Sequence, residues 1–427
     1  MLRPGFGVSS VRPSRRGFAL PPPRVLLADA DAFFVAVARA VDPDGAGRAP
    51  LLIVGGSRES RGVVCSASYE ARKFGVRSAM SIAQALRLCP DALCVPVPRK
   101  ACGAKSTEIR RVLQQFAPVV EGASIDEWYL DLSGTEGVYH HEPLATTAGR
   151  IREAVRDTTG LTLSIGGGTN KLIAKLAVDR AKPRTDPGGT GVLIVEPGTE
   201  EAFLATCTLA EIPLVGPKFQ ARLAARGLIT VPDVLRHDLD TLRGWLSDRE
   251  TRWLWNRVHG VDDGAVVTRG ANKGISRDET FNKDLHADRD IEHVLLALVT
   301  RAAADLRGEG LTARTVTVKL RDWDFRTRSA QQTLPDPVVA DRAIMRVARE
   351  LLATLRSARR VPARLVGVRL SLLAVEQAAD QPSLLPGTSD RSGETHRDRV
   401  LTRAIDGVRR KFGQASILPA RLTPGER

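Results

Sequence analysis

Two short apolar segments of β type end in acidic residues, and this feature constrains the fold more than any other. The first segment (25–34) carries Asp29 and the second (123–131) carries Asp126 and Glu127. Charged side chains are rarely fully buried without a partner, and acids that converge from two strand ends repel one another unless a cation lies between them. Carboxylate oxygens suit Mg²⁺. The pattern therefore indicates metal-dependent phosphoryl or nucleotidyl transfer, with two edge strands bearing solvated acids as the alternative.

The chain has 427 residues, which is enough for about two to four domains that each have their own core. Its 63 Lys and Arg residues exceed its 49 Asp and Glu residues and give a formal net charge of +14. Such an excess favours a polyanionic partner such as nucleic acid. A soluble basic protein from a genome rich in G and C is the alternative, so charge alone does not decide the matter.

The cysteines are spaced as free thiols rather than as a metal site, because they form no Cys-x-x-Cys pair and have no histidine at metal-ligand spacing. We expect reduced, mostly buried thiols in a cytoplasmic protein. No apolar run reaches the roughly 18 residues of a membrane-spanning helix, so we expect no membrane partner. Residues 1–23 lack the apolar core of a signal peptide and are rich in Pro, Gly, Ser and Arg, which predicts a disordered leader. The cysteines are Cys65, Cys89, Cys94, Cys102 and Cys207.

Strand-like and helix-like segments alternate along the chain, which predicts an α+β or α/β core. Residues 188–260 are predicted to be mostly helical, residues 271–373 to form a small two-layer α/β unit, and residues 376–394 to form a polar, flexible tether. The predicted strands are 24–31, 51–54, 62–66, 126–132, 161–166, 312–320 and 365–372. The predicted helices are 33–41, 68–74, 81–88, 106–116, 146–159, 170–180, 291–306, 339–357 and 397–412.

Residues 61–80 (RGVVCSASYEARKFGVRSAM) are far more specific than the acids. With residues 29–34 and 124–131, and in the same order and spacing, they resemble the Y-family DNA polymerases, in particular the DNA polymerase IV (DinB-like) branch. The resemblance covers residues 24–376. It implies an α+β right hand with a ferredoxin-like palm, small fingers, a helical thumb and an α/β little finger. It also implies a template-directed DNA polymerase of low fidelity that bypasses lesions in DNA repair and damage tolerance.

The resemblance also implies a division into domains. The implied boundaries are a disordered leader (1–23), a palm (24–31 and 98–187), fingers (32–97), a thumb with a helix-hairpin-helix (188–260), a linker (261–272), a little finger (273–376) and a C-terminal tail (377–427).

Carried over by position, the resemblance assigns Asp29, Asp126 and Glu127 as catalytic carboxylates that bind two Mg²⁺ ions, with the backbone carbonyl of Ala30 as a further ligand. One ion would lower the pKa of the primer 3′-hydroxyl, and both would stabilise the charge on the transferring phosphate. The role of Asp31 is open between a supporting acid and a cap of the following helix.

The resemblance assigns a second set of residues to the nucleotide. Phe34 corresponds to the steric gate, a ring under the sugar that excludes a 2′-hydroxyl, although in isolation it would be ordinary core. Tyr69 and Arg72 lie three residues apart on a predicted helix and share a face. With Lys182 they correspond to the triphosphate contacts, for which a guanidinium donates two parallel hydrogen bonds. Ser66 is a further candidate.

Three other positions bear on the resemblance: one has two interpretations and two depart from the family pattern. Lys175 corresponds to a family lysine or is a solvated helix residue. Trp128 stands where the family often has a small residue, and we expect it to fill the core. Leu214 stands where the family hairpin usually has glycine.

Residues 209–218 precede a helical segment and resemble a helix-hairpin-helix, which binds the DNA backbone through amides at a helix N-terminus. Gly216 and Lys218 are the candidate contacts there, and a plain helical turn is the alternative. In the implied little finger, basic residues alternate along strands, which fits contact with the duplex backbone or a solubilising surface. The candidates are Arg314, Lys319, Arg321, Arg364 and Arg369.

Residues 381–385 (QPSLL) resemble the Gln-x-x-Leu-Phe peptides that dock onto the bacterial sliding clamp. Gln381, Leu384 and Leu385 are the candidate contacts, and a chance match is the alternative.

A non-catalytic, polymerase-like adaptor that binds DNA and the clamp is the alternative function. Retention of the three acids and of Tyr69 and Arg72 favours catalysis over it. A palm-type nucleotidyl cyclase is disfavoured by the hairpin and the basic little finger. The expected partners are primer–template DNA, deoxynucleoside triphosphates and the clamp, and the expected state is a monomer.

Overall fold

The computed structural model describes residues 22–57, 61–182, 190–268, 270, 272–376, 394–413 and 416–422. Three predictions fall wholly or mostly outside this part of the chain. They are the disordered leader, except for its last two residues, the flexible tether at 376–394, except for its two end residues, and the candidate clamp peptide at 381–385.

The helices and strands of the described residues are as follows. The strands are β1 (Val25–Ala30), β2 (Leu52–Gly55), β3 (Val64–Ala67), β4 (Leu93–Pro96), β5 (Val119–Gly122), β6 (Glu127–Asp131), β7 (Leu163–Gly168), β8 (Val192–Ile194), β9 (Gly274–Leu285), β10 (Leu311–Asp322), β11 (Thr327–Val338) and β12 (Ala363–Val375). The helices are α1 (Phe33–Val41), α2 (Tyr69–Lys73), α3 (Ile82–Leu88), α4 (Arg99–Leu113), α5 (Leu144–Thr159), α6 (Lys171–Ala181), α7 (Glu200–Leu204), α8 (Pro217–Ala224), α9 (Val231–Leu235), α10 (Leu239–Arg243), α11 (Asp248–Val258), α12 (Asp288–Gly308), α13 (Asp341–Ala358) and α14 (His396–Phe412), with a 3-10 turn at Ala420–Leu422.

The chain divides into two compact units, which we describe separately. The first contains the described residues of 1–57 and 62–269, and the second contains those of 58–61 and 270–427. Within the described residues, no helix is long and apolar enough to cross a bilayer. All five cysteines are free thiols and three of them are buried, which confirms the prediction of reduced, mostly buried thiols.

The main sheet of the first unit has the strand order β5-β6-β1-β7-β8, with β1 antiparallel to both of its neighbours. Every residue of β1 is buried, because both faces of the sheet are covered. Leu26 and Ala28 pack into the core shared with α4 and α5, whereas Val25 and Leu27 pack on the side of α6. Since side chains alternate along a strand, Asp29 belongs to the α6 side.

A run of three glycines brings α6 against β7. A Cβ on Gly166 would lie 2.1 Å from the backbone nitrogen of Val178, and one on Gly168 would lie 2.4 Å from the side chain of Ile173. Only glycine allows so close an approach of helix to strand. The prediction that the strand ends at Gly166 was wrong by two residues, since the strand continues to Gly168.

A second sheet has the order β3-β2-β4, and α4 follows its last strand in the chain. Its helix α2 is fixed at the N-terminus by Ser68, whose Oγ accepts a hydrogen bond from the amide of Ala71 at 3.2 Å and donates one to the carbonyl of Pro50 at 2.8 Å. Such capping sets where the helix begins. Residues 190–260 form the five helices α7 to α11, joined by turns that make up about half of the segment, so the prediction of a mostly helical segment holds only in part and missed the short strand β8.

The second unit is an antiparallel sheet with the order β11-β10-β12-β9, and α12 and α13 pack on it. The core side chains of the central strands include Val316, Val318 and Val366. The helices and the two central strands were predicted. Strands β9 and β11 were missed, because most of their residues are exposed and carry little apolar alternation.

The C-terminal helix α14 is tied to this second unit through buried charges. The guanidinium of Arg307, with a side chain only 6% exposed, donates to Asp406 of α14 and to Asp341 of α13. Glu394 is buried and accepts hydrogen bonds from the amides of Val339, at 2.8 Å, and of the following residue. The prediction of a flexible tether reaching to Glu394 was therefore wrong at that end.

Candidate active site

Two of the predicted metal ligands form a cross-strand pair. Asp29 in β1 stands directly opposite Glu127 in β6. The amide of Ala30 donates a 2.9 Å hydrogen bond to the backbone carbonyl of Asp126, which places all three acids at one end of the β1–β6 ladder. Like charges in directly opposite positions destabilise a sheet, so this end of the ladder requires positive charge.

Two lysines supply positive charge from the α6 side. The Nζ of Lys182 lies 2.8 Å from Oδ2 of Asp29, and the Nζ of Lys175 lies 2.6 Å from Oε1 of Glu127. The second lysine is also 3.8 Å from Asp29. Asp179, one turn from each lysine, lies within 3.7 Å of both. Lys175 is therefore part of the acidic site and not a solvated helix residue.

The electrostatic environment of the two carboxylates differs. Burial raises the pKa of Asp29 to about 7, against the opposing charge and hydrogen bond of Lys182. Burial also acts on Glu127, but the hydrogen bond and charge of Lys175 outweigh it and lower the pKa of that carboxyl. The lysines thus compensate the charge of Glu127 more fully than that of Asp29, which is only 6% exposed. A buried carboxylate whose charge is compensated only in part is stabilised by any further cation.

The third acid is held by its own loop. The hydroxyl of Ser124 donates to the carboxylate of Asp126 and accepts a 3.2 Å hydrogen bond from its amide. Across the described residues, three His, Cys, Asp or Glu side chains do not gather closely enough to hold a metal ion. The chemistry of the donors nevertheless fits a divalent cation, because carboxylates are hard oxygen donors and the opposed pair, Asp29 and Glu127, is already held by cationic ammonium groups. Asp29, Asp126 and Glu127 would hold it.

Phe34 lies in the first turn of α1, close to the acids in sequence. Its ring is half-buried and meets the ring of Phe33 edge to face, with centroids 5.7 Å apart. Phe33 is buried in the main core, so its ring gives the Phe34 ring a fixed neighbour. A half-buried, supported ring suits a gate better than a fully buried core residue does.

Tyr69 and Arg72 share a face of α2, as their spacing predicts. The guanidinium of Arg72 lies 5.0 Å from the centre of the Tyr69 ring, and its Nε donates to the carbonyl of Ala67 at 3.0 Å. Burial, and then the charge of Asp31, raise the pKa of Tyr69. Ser66 lies in β3 and is only 5% exposed, which makes it the least accessible candidate phosphate contact.

Asp31 does not cap α1. The cap position is Ala32, with a φ of 44° and no side-chain hydrogen bond, while Oδ1 of Asp31 accepts a 2.7 Å hydrogen bond from the hydroxyl of Ser164. The capping alternative was wrong, because β7 supplies a nearer partner. Trp128 is 1% exposed and packs in the main core, as predicted.

Comparisons with known proteins show the family of the chain. The sequence profile of the impB/mucB/samB family matches residues 28–179, and that of the family's C-terminal domain matches residues 272–384. A DNA polymerase IV of Caulobacter vibrioides is 35% identical over 93% of this chain and 93% of its own length. A DNA polymerase IV of Methanoculleus marisnigri is 38% identical over 82% of this chain and 94% of its own. The chain belongs to the Y family of DNA polymerases, in the DNA polymerase IV branch.

A solved structure shows the same fold. The Y-family DNA polymerase chimera Dbh-Dpo4-Dbh superposes with a TM-score of 0.71 and 24% identity, over 82% of this chain and 99% of its own. The predicted α+β fold class of a Y-family polymerase is thereby confirmed.

The predicted hairpin at 209–218 leads into helix α8, and the described residues between α7 and α8 form turns and no helix. Gly216 is the N-cap of α8, and Lys218 is exposed in the first turn. Leu214 has a φ of 73° and is 83% exposed. This backbone conformation favours glycine, which explains why the usual family residue there is glycine and why Leu214 departs from the pattern at a cost.

The basic candidates of the little finger fall into two groups. Lys319, Arg321 and Arg369 alternate along their strands with core residues that face α12 and α13. They therefore lie on the opposite side of the sheet, which these helices leave uncovered and which we call the open face. Lys319 is paired there with Asp278, across Gly367.

The other two candidates lie at irregularities of the sheet. Arg364 sits where the register of β12 shifts against both neighbours, and its guanidinium stacks 4.4 Å from the centre of the Phe325 ring. Arg314 lies at the shift between β10 and β11 and donates to the carbonyl of Leu334 at 3.2 Å. The structure therefore does not place all five basic residues on one face.

Proposed function

We propose that this chain adds deoxynucleotides to a primer 3′-hydroxyl by two-metal nucleotidyl transfer. Asp29, Asp126 and Glu127 would be the carboxylates that bind two Mg²⁺ ions, with the carbonyl of Ala30 as a further ligand. The observation that carries the proposal is the opposition of Asp29 and Glu127 across β1 and β6, beside Lys182. Y-family membership makes the chain a DNA-directed DNA polymerase, with DNA and deoxynucleotides as its substrates.

The bound ions would lower the pKa of the primer hydroxyl and stabilise the charge of the transferring phosphate. The side chains of the protein would bind the triphosphate of the nucleotide. Lys182, which pairs with Asp29 at 2.8 Å, would exchange that carboxylate for a phosphate oxygen of the nucleotide. Arg72 would turn from the carbonyl of Ala67 to the triphosphate, and Tyr69 would donate its hydroxyl.

Phe34 would be the residue that excludes ribonucleotides. A rigid ring under the sugar leaves no room for a 2′-hydroxyl. Packing against the buried Phe33 would keep the ring from yielding.

DNA contact is proposed at two surfaces. The amides following Gly216, with Lys218, would bind phosphates at the N-terminus of α8, and Lys319, Arg321 and Arg369 would bind the duplex backbone on the open face. Replacing Arg369 by Gln should weaken duplex binding and reduce the dependence of affinity on salt, whereas Arg289→Gln, an exposed position on α12, should leave both unchanged. Equal effects of the two variants would reject the open face as a DNA surface.

Lesion bypass at low fidelity, a monomeric state and a cytoplasmic location are proposed on the family's behaviour.

Docking of residues 381–385 onto a bacterial sliding clamp is proposed on their sequence and position. Capture of the chain by purified clamp should be lost on replacing Gln381 and Leu385 together by Ala, while primer extension without clamp stays at the parental rate. Undiminished capture would reject the peptide.

The decisive experiment is primer extension with purified protein, Mg²⁺ and deoxynucleotides. Asp126→Asn keeps the size of the side chain but removes its charge, so extension should fall by at least about 100-fold while DNA binding changes less than about twofold. Asp131→Asn is the matched control, because Asp131 lies at the other end of β6 and accepts a hydrogen bond from the amide of Ser133 that an amide oxygen can also accept. It should extend primers normally.

Two outcomes would count against the proposal. Normal extension by Asp126→Asn would reject the metal assignment. DNA binding without extension by the parent protein would instead support the alternative function, a polymerase-like adaptor.

A further inference from the structure

The turn between β10 and β11 exposes two aromatic rings. Trp323 is 54% exposed and Phe325 is 62% exposed. Aromatic residues make up only 4% of the chain, so two exposed rings separated by one residue are a marked local concentration. We call residues 323–325 the aromatic turn.

Ion pairs hold the aromatic turn in place. The fully buried carboxylate of Asp322 receives the guanidinium groups of Arg328, at 2.9 Å, and of Arg359. Arg359 also donates to Asp324 at 2.9 Å. The amide of Trp323 donates to the carbonyl of Pro362 at 3.1 Å. The two acids of the turn are thus neutralised internally, and the rings stand on a fixed backbone.

The left-handed conformation of Phe325 belongs to the hairpin turn, in which the amide of Phe325 donates to the carbonyl of Asp322 at 3.0 Å and the amide of Asp322 donates to the carbonyl of Arg326 at 2.9 Å. The φ of Phe325, 65°, lies in the left-handed region, which costs a residue with a Cβ about 1–2 kcal/mol. The exposed ring recovers little of that cost through burial. Its one neighbour of note is the guanidinium of Arg364, 4.4 Å from the ring centre, which covers one side of the ring and places a cation beside it.

Positive charge surrounds the aromatic turn. In the part of the chain that the structure describes, Arg321, Arg326 and Arg364 have no carboxylate within salt-bridge distance. Arg321 also belongs to the open face, two residues beyond Lys319 on β10. The aromatic turn therefore continues the surface proposed to bind the duplex backbone.

Exposed rings set among unneutralised arginines match the chemistry of unpaired nucleotides. Single-stranded nucleic acid offers base faces for stacking and phosphates for basic side chains, whereas duplex DNA keeps its base faces covered. We propose that the aromatic turn binds unpaired bases of a DNA strand that continues beyond the duplex on the open face, with Trp323 and Phe325 stacking on the bases and Arg326 and Arg364 contacting phosphates. The inference rests on the proposed DNA-binding function.

The test compares two DNA probes, a blunt duplex and the same duplex with a single-stranded extension, by fluorescence anisotropy at one salt concentration. The variant is Trp323→Ala with Phe325→Asn, because Asn tolerates positive φ and the fold is then retained, as a melting curve would verify. Stacking contributes about 1–3 kcal/mol per base, so we expect at least a fivefold loss of affinity for the extended probe. Affinity for the blunt duplex should stay within twofold.

Phe412→Ala is the control for loss of an exposed ring. Phe412 is 67% exposed on α14 and also lies beside a lysine, Lys411, so its removal should change neither probe. Unchanged affinity of the double variant for the extended probe would overturn the proposal and assign the rings to another partner. An equal loss on both probes would also overturn it, by showing contact with the duplex. Failure of the parent to bind blunt duplex would instead reject the open face itself.

Discussion

Replacing Gly166 by Ala tests whether the glycine run positions the active-site lysines. The added Cβ would lie 2.1 Å from the nitrogen of Val178 and 2.4 Å from the carbonyl oxygen of Ala174, both in the backbone of α6. Ordinary contact is about 3.5 Å, so the helix must move by more than about 1 Å. Overpacking costs about 1–3 kcal/mol, and backbone atoms cannot rotate away, so we expect a loss of about 3 kcal/mol.

That loss should lower the melting temperature of a domain of this size by roughly 6–12 °C, measured by scanning calorimetry. Helix α6 carries Lys175 and ends just before Lys182, and a shift of about 1 Å at a catalytic group can cost about 100-fold in rate. Primer extension below the melting temperature should therefore fall by a similar factor.

Gly149→Ala is the matched control for this substitution. Gly149 lies within α5, and a Cβ there would meet nothing within 4 Å. Ala is favoured over Gly in a helix by about 1 kcal/mol, so this variant should melt at a higher temperature and extend primers normally. If Gly166→Ala melted with the parent protein and extended primers at the parental rate, the close approach of α6 would not position the lysines.

Three further predictions follow from single residues. Phe34→Ala should admit ribonucleotides in primer extension, because the half-buried ring is the proposed gate, and unchanged sugar discrimination would reject the gate. Leu214→Gly should raise thermal stability by up to about 1 kcal/mol, because the strained, 83% exposed leucine contributes almost no burial; a lower melting temperature would contradict the strain. Arg307→Met should leave Asp341 and Asp406 without their buried partner at a cost of about 3–5 kcal/mol, seen as faster hydrogen exchange in α14, and unchanged exchange would show that this arginine does not hold the helix.

Much of the fold was predictable because its signals are local. The apolar run of β1 is continuous, since helices cover both faces of the sheet, and such a run is visible without any knowledge of the partners. The segment at 61–80, together with residues 29–34 and 124–131, carries the family resemblance, and all three are local stretches of sequence. The exposed strands β9 and β11 carry no such run, and for that reason they were missed.

The sequence alone determined which residue types meet at the candidate site, namely three carboxylates, a tyrosine, an arginine and a lysine in family order. Only the tertiary structure decided their arrangement. The opposition of Asp29 and Glu127 depends on the register of strands that lie about 100 residues apart, and that register is set by which side chains the packed sheet buries, because backbone hydrogen bonds alone would form in other registers too. Lys175 joined the site because glycines let α6 approach β7, and Arg364 left the open face because β12 shifts register there.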